Sequence, residues 1–190
     1  MRKCLLATLF VLASAGAAAA HTGHGATEGF AQGFAHPLLG LDHLLAMIAV
    51  GLWGARIGGR ARWLVPAAFV GVMALGGVIG VAGFGLPLVE LGIVGSVLVL
   101  GLLVAAAPQP PLWAPAAIVA LFALFHGHAH GTEMPEAVSG LAYSLGFVLA
   151  TALLHSLGLM LGLLVAGRSP LALRLGGGAI AACGALLLIA

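Results

Sequence analysis

"HPLLGLDHLLAM", residues 36–47, opens an apolar run that is long enough to enter a membrane, yet carries His36, Asp42 and His43 into it. An ionised aspartate at the centre of a membrane helix costs about 2.5–3.5 kcal/mol on insertion scales, so Asp42 needs a partner or a hydrated cavity. Read as one helix opened by Pro37, whose fixed φ suits the first helical position, the stretch puts His36 and His43 two turns apart on one face. Asp42 is then turned about 100° away, and Met47 follows one turn beyond His43 as a candidate lining residue. His36 would stand at the helix mouth, with Asp42 and His43 roughly 8–10 Å deeper at 1.5 Å per residue.

The rest of the chain is of the same kind. Of its 190 residues 62% are hydrophobic, 6% are charged and 30 are glycine, against about a quarter charged in soluble domains. Six apolar runs, about 37–56, 63–83, 86–107, 112–130, 137–166 and 170–189, account for nearly all of it. Each can cross a hydrocarbon core of about 30 Å. The expected fold is an all-α integral membrane protein, a bundle of six transmembrane helices after a cleavable signal peptide.

Residues 1–20 read as that signal: Met1-Arg2-Lys3 is basic, Leu5 to Leu12 apolar, and Ala18-Ala19-Ala20 a small-residue cleavage site. An uncleaved first span is the alternative, and it delivers His21 to the same side. Residues 21–35 read as a polar, His/Gly-rich periplasmic N-terminal segment, and residues 36–190 as a six-helix transmembrane domain. Arg56, Arg60 and Arg62 follow the first run and Arg168 the fifth, so the positive-inside rule places both loops in the cytoplasm. The expected location is the bacterial inner membrane, multi-pass, with the mature N-terminus in the periplasm.

This threading brings seven of the eight histidines, His21, His24, His36, His43, His126, His128 and His130, to the outer side and leaves His155 deeper. Small residues at GxxxG spacing, Gly54/Gly58 and Gly158/Gly162, offer close helix packing. A split into three plus three spans gives halves of opposite orientation, the plan of many secondary transporters.

Two imidazoles and a carboxylate within eight residues match the ligand types of a borderline divalent cation; polar glue between helices is the alternative reading of Asp42 and His43. "FHGHAHGTEMPE", residues 125–136, ends the fourth run on the same side. If helix persists there, His126 and His130 point one way with Glu133 near that face, and His128 points elsewhere. An extended HxHxH would align all three histidines instead, and a solvated loop would take metal nonspecifically. Glu90 either completes the outer cluster or snorkels to the interface. His155 is an inner relay ligand or a packing histidine, and His21 and His24 a terminal chelator or a disordered tail.

Several chemistries are excluded. The only lysine, Lys3, lies in the signal, so no phosphate-binding GxxxxGK[ST] loop exists. His126 and His130 fit the HxxxH fragment of membrane di-iron oxygenases, but no further histidine box and no HExxH accompany it; the chain does not read as an enzyme. Of the two cysteines Cys4 leaves with the signal, so Cys183 has no partner to oxidise. A net charge of +2 with no basic cluster gives no nucleic-acid footprint. The partners are membrane lipid and a divalent metal ion, with a homo-oligomer left open and no permanent cofactor.

At two stretches the chain resembles the HupE/UreJ family of hydrogenase and urease accessory proteins, nickel/cobalt permeases. His36-Pro37 with Asp42-His43 is similar to that family's H-x5-D-H signature, and Phe125-His126-Gly127 with Ala129-His130-Gly131 and Glu133 to its FHGxAHGxE motif. "LPLVELGIVGSVLVLG", with Glu90 and Ser96, is similar to its third span. The resemblance implies transport of Ni²⁺ or Co²⁺ from periplasm to cytoplasm, with His36, Asp42, His43, His126, His130 and Glu133 as transport residues and His128 at a variable position. The expected function is a secondary, non-ATP-driven divalent-metal permease; the alternative is a non-transporting membrane accessory or sensor.

Free imidazole titrates near pH 6.5, and its protonated form has no lone pair for a metal. Uptake of labelled nickel should therefore weaken as external pH falls below about 6. Uptake unchanged from about pH 7 to about pH 5 would contradict capture by histidine.

Overall fold

The structure, a computed structural model, describes residues 26–135 and 138–190; the signal call on residues 1–20, together with His21 and His24, lies outside the described residues. Seven helices and no strand occur among the described residues: α1 (Ala26–Leu39), α2 (Leu41–Ile57), α3 (Ala61–Val81), α4 (Val89–Ala106), α5 (Trp113–Thr132), α6 (Gly140–Ala166) and α7 (Pro170–Leu187). α3, α4, α6 and α7 are each long and apolar enough to cross a membrane. The α1–α2 pair supplies a fifth span if its two limbs count as one. α5 has 20 residues, but His126, His128 and His130 crowd its last two turns and lower its hydropathy.

The first run departs from expectation. Its helix does not begin at Pro37: α1 begins at Ala26, inside the stretch read as a polar segment, and carries Pro37 in its last turn. The chain breaks at Gly40, which is extended at φ −89° and ψ 119°, and α2 leaves at 81° to α1. His36 and His43 thus sit on different helices, and the expected shared face and depth interval, which assumed one continuous helix, do not apply. Gly29 and Gly33, within the stretch read as a polar segment, serve packing. A Cβ on Gly33 would strike the backbone of Tyr143, and one on Gly146 the backbone of Phe30, so α1 lies directly on the first half of α6.

α2 is the central helix, with Met47, Val50 and Trp53 fully buried and contacts to α1, α3, α4, α6 and α7. The exterior is apolar: Leu141, Leu145, Leu149, Leu153 and Leu157 form an exposed ladder along α6 at the i, i+4 spacing of one helix face. Buried histidines inside and exposed leucines outside suit a hydrocarbon solvent.

The three most extensive helix pairings are α3 with α5, α4 with α7, and α2 with α6. Exchanging α2-α3-α4 with α5-α6-α7 maps this set onto itself. The contacts correspond residue by residue. A Cβ on Gly127 of α5 would strike the Met73 carbonyl of α3, and one on Gly76 of α3 the Leu124 carbonyl of α5. In the other pair, a Cβ on Gly51 of α2 would strike the His155 carbonyl of α6, and one on Gly158 of α6 the Ile48 carbonyl of α2. One turn further, Gly80 meets Gly131 and Gly162 meets Ala55. Both crossings join helices that run in the same direction, so the chain carries an inverted internal repeat whose equivalent positions include Met73 and His155.

Of the two expected GxxxG pairs, Gly158/Gly162 packs in this way. Gly54 faces the α2–α3 turn and Gly58 caps α2 at φ 83°; Gly51 and Ala55 take the packing role instead.

Gly51→Ala and Gly127→Ala should each destabilise the bundle by about 1–3 kcal/mol, the cost of overpacking. Gly71→Ala and Gly178→Ala, where a Cβ meets nothing within 4 Å, should be neutral or should gain up to about 1 kcal/mol of helix propensity. Unfolding in mixed detergent micelles measures the difference.

Candidate metal centre

The centre lies where the start of α2 meets the end of α5. At the start of α2 the Asp42 carboxylate folds back, and its Oδ1 accepts the His43 backbone N–H at 2.7 Å and the His43 Nδ1–H at 2.8 Å. This satisfies one of the N–H groups left free at a helix start. It also fixes the His43 tautomer, leaving the Nε2 lone pair unshared, and Nε2 is buried with no partner. Gly40 is required beside the pair: a Cβ there would stand 2.8 Å from Asp42 Oδ1 and 3.2 Å from His43 Nδ1.

Helix persists through the α5 motif to Thr132, so His126 and His130, four apart, face α2 together. Their rings lie 4.7 and 4.5 Å from that of His43. Ser96 of α4 orients His126. Its single hydroxyl proton goes to the Ile93 carbonyl at 2.6 Å, so the 2.9 Å contact to His126 Nε2 is a donation from the imidazole. His126 Nδ1 then carries the free lone pair, and it too is buried without a partner. Fixing of one ring nitrogen by a carboxylate or hydroxyl, with the other left bare, is the usual outer-shell arrangement of a metal-binding histidine.

Two groups of potential ligands result. His43, His126 and His130, all buried, bring one ligand atom each within 4.8 Å of one another. His36, His130 and Glu133, nearer the surface, do the same. His130 belongs to both; its ring lies 4.7 Å from that of His36, both its nitrogens lack partners, and the Phe147 ring packs on it at 3.8 Å. His36 Nε2 stands 3.4 Å from Glu133 Oε2.

Charge favours a cation here. Asp42 and Glu133 supply two carboxylates, and the carbonyl end of α5, the negative pole of its dipole, lies at the centre. A cavity of about 610 Å³ between α3, α5 and α6, lined almost wholly by apolar side chains, reaches both Met73 and His130.

The remaining candidates are placed apart. Asp42 stands behind His43 and belongs to neither group. His128 points away, its Nε2–H donating to the Phe84 carbonyl at 2.7 Å. Glu90 is exposed in the first turn of α4 and joins neither group. His155 lies deeper, beyond Phe69. Ser96 is the residue that reading for ligands passes over, although it is the one polar side chain of its apolar helix after Glu90. Phe69, Tyr143 and Phe147 carry no signal in the sequence that separates them from other aromatic core residues.

No solved structure matches the chain. The family described as HupE / UreJ protein matches residues 9–187. Protein HupE of Rhizobium leguminosarum bv. viciae is 48% identical over 183 residues, which cover 96% of this chain and 95% of that protein. With the family pattern running through nearly the whole chain and both histidine motifs meeting at one centre, the chain belongs to the HupE/UreJ family.

Proposed function

We propose that the protein is a secondary, non-ATP-driven permease that takes up a divalent transition metal, Ni²⁺ or Co²⁺, from the periplasm into the cytoplasm. The observation that carries this reading is His130, shared by an outer group with His36 and Glu133 and a buried group with His43 and His126. A storage site needs one closed shell. Two incomplete shells that share a ligand allow an ion to move inward by exchanging neighbours, without a strongly bound intermediate.

Helix directions support six spans with the bent α1–α2 pair as the first and α5 as the fourth. α2 and α6 run in the same direction, as do α3 and α5, and each agrees with alternate crossing. Their far ends carry Arg56, Arg60, Arg62 and Arg168, at the opposite end of the bundle from His36 and Glu133. The positive-inside rule then directs the histidines to the periplasm; the inner membrane and a cleaved signal belong to the same reading, although an uncleaved first span gives the same orientation. Asp42 acts as the anionic support of His43, and the Ser96 hydroxyl as the neutral hydrogen-bond support of His126.

Proteoliposomes tested with labelled nickel and competing divalent metals, with and without a pH gradient, measure transport, selectivity and coupling. His130→Ala, which dismantles both groups, His36→Ala and Asp42→Asn should abolish accumulation with membrane insertion intact. Ser96→Ala should weaken metal affinity by about 10–100-fold, the usual effect of losing an outer-shell partner, and His128→Ala should do little. Normal uptake in the His36 and Asp42 variants would leave these residues as polar glue. Metal bound but never delivered to the lumen would favour a non-transporting accessory or sensor.

A further inference from the structure

Beneath the buried group the polar line does not end. The Phe69 ring, fully buried, lies 5.6 Å from the His126 ring and 5.0 Å from the His155 ring. His155 is 2% exposed. Its Nδ1–H donates to the Met47 carbonyl at 2.8 Å, so the Nε2 lone pair is bare, and that atom is buried with no partner. An unsatisfied buried polar atom costs about 1–3 kcal/mol; His128 Nδ1 bears the same cost, so what distinguishes His155 is its place next to the Phe69 ring that also meets His126. The arrangement repeats that of His43 and His126: one ring nitrogen fixed, the other unused.

The surroundings suit a cation in passage. Thr151, one turn before His155 on α6, donates its hydroxyl to the Met73 sulfur at 3.7 Å, which puts a thioether on the α6 face that carries His155. Met73 and His155 are equivalent positions of the inverted repeat, so they straddle the boundary between its halves. Transporters built from inverted repeats bind their cargo near the bilayer midplane at that boundary. His155 is hydrogen-bonded to Met47, one turn beyond His43 on α2, so it lies about 6 Å further into the bundle than His43 at 1.5 Å per residue.

We infer that His155, through Nε2, is a second, inner station for the divalent cation, beside the Met73 thioether and separated from the outer histidines by the Phe69 ring. The inference rests on the permease reading for its direction, inward past Phe69. The ligands are an imidazole and a sulfur, with no carboxylate, so the station holds the ion more weakly than the outer groups and passes it on.

Two readouts test this. The variant His155→Asn keeps an N–H donor where Nδ1 faces the Met47 carbonyl and deletes Nε2. Titration of the purified protein in detergent with Co²⁺, followed by its visible absorption, should load about two equivalents in the wild type and about one in His155→Asn. His43→Ala/His130→Ala should keep about one, lost when His155→Asn is added. A count that His155→Asn leaves unchanged overturns the inner station.

In proteoliposomes His155→Asn should lower nickel uptake by about tenfold or more while affinity at the outer groups stays within about threefold. Wild-type uptake in the variant, or loss of outer binding together with transport, overturns it. Phe69→Leu should speed uptake by about twofold or more if the ring is the barrier, and an unchanged or slower rate removes Phe69 from that role. If the wild type itself never loads the lumen, the permease reading falls and the Co²⁺ count alone decides the inner station.

Discussion

In a hydrocarbon solvent apolar burial no longer drives helices together, so close backbone contact has to do it. Glycines make that contact in four helix pairs, α1 with α6, α4 with α7, α3 with α5 and α2 with α6, and the last two, through Gly76 and Gly127 and through Gly51 and Gly158, hold the site. The interlocks fix how near the backbones stand and at what height. The placement of His43, His126 and His130 depends on them, because the glycine that seats α5 on α3 lies between His126 and His128 in sequence. A looser pairing would separate the imidazoles.

The second requirement is a helix start and a helix end that meet. A continuous helix through residues 36–47 would have carried His36 and Asp42-His43 along one axis, with no third element to close a ligand group. The break at Gly40 instead turns α1 across the mouth of the bundle, brings His36 beside His130, and frees the first turn of α2 to hold Asp42 and His43 against α5. Opposed dipole ends then share the centre: Asp42 offsets the positive start of α2, and the negative end of α5 faces the site. The costly aspartate is satisfied by its own neighbour, which leaves the imidazoles, not the carboxylate, as the buried ligands.

Much of this was legible in the sequence. Composition and the apolar runs give an all-helical membrane protein, arginine placement gives an orientation, and the spacing of His126 and His130 gives a shared face with His128 excluded. The extent of α1 was not legible: Gly29 and Gly33 look like flexible spacers until Tyr143 and Ser139 of α6 are seen to lie against them. Gly54/Gly58 has the same spacing as Gly158/Gly162, yet Gly54 meets only the start of α3 and Gly58 caps α2, so pattern alone could not choose between them. Ser96 drew notice only as part of a similar span, because a hydroxyl in an apolar helix has no meaning until the ring it orients is known.

The residue pattern by itself determined the solvent, the class and the ligand chemistry, because hydropathy, charge placement and side-chain type are local properties. Tertiary structure decided which candidate ligands come together, that Asp42 stands behind His43, that the chain bends at Gly40, and that the two halves are inverted copies with Met73 and His155 in equivalent places. Those are relations between backbones far apart in sequence, set by how closely glycines let helices approach, and no single segment contains them.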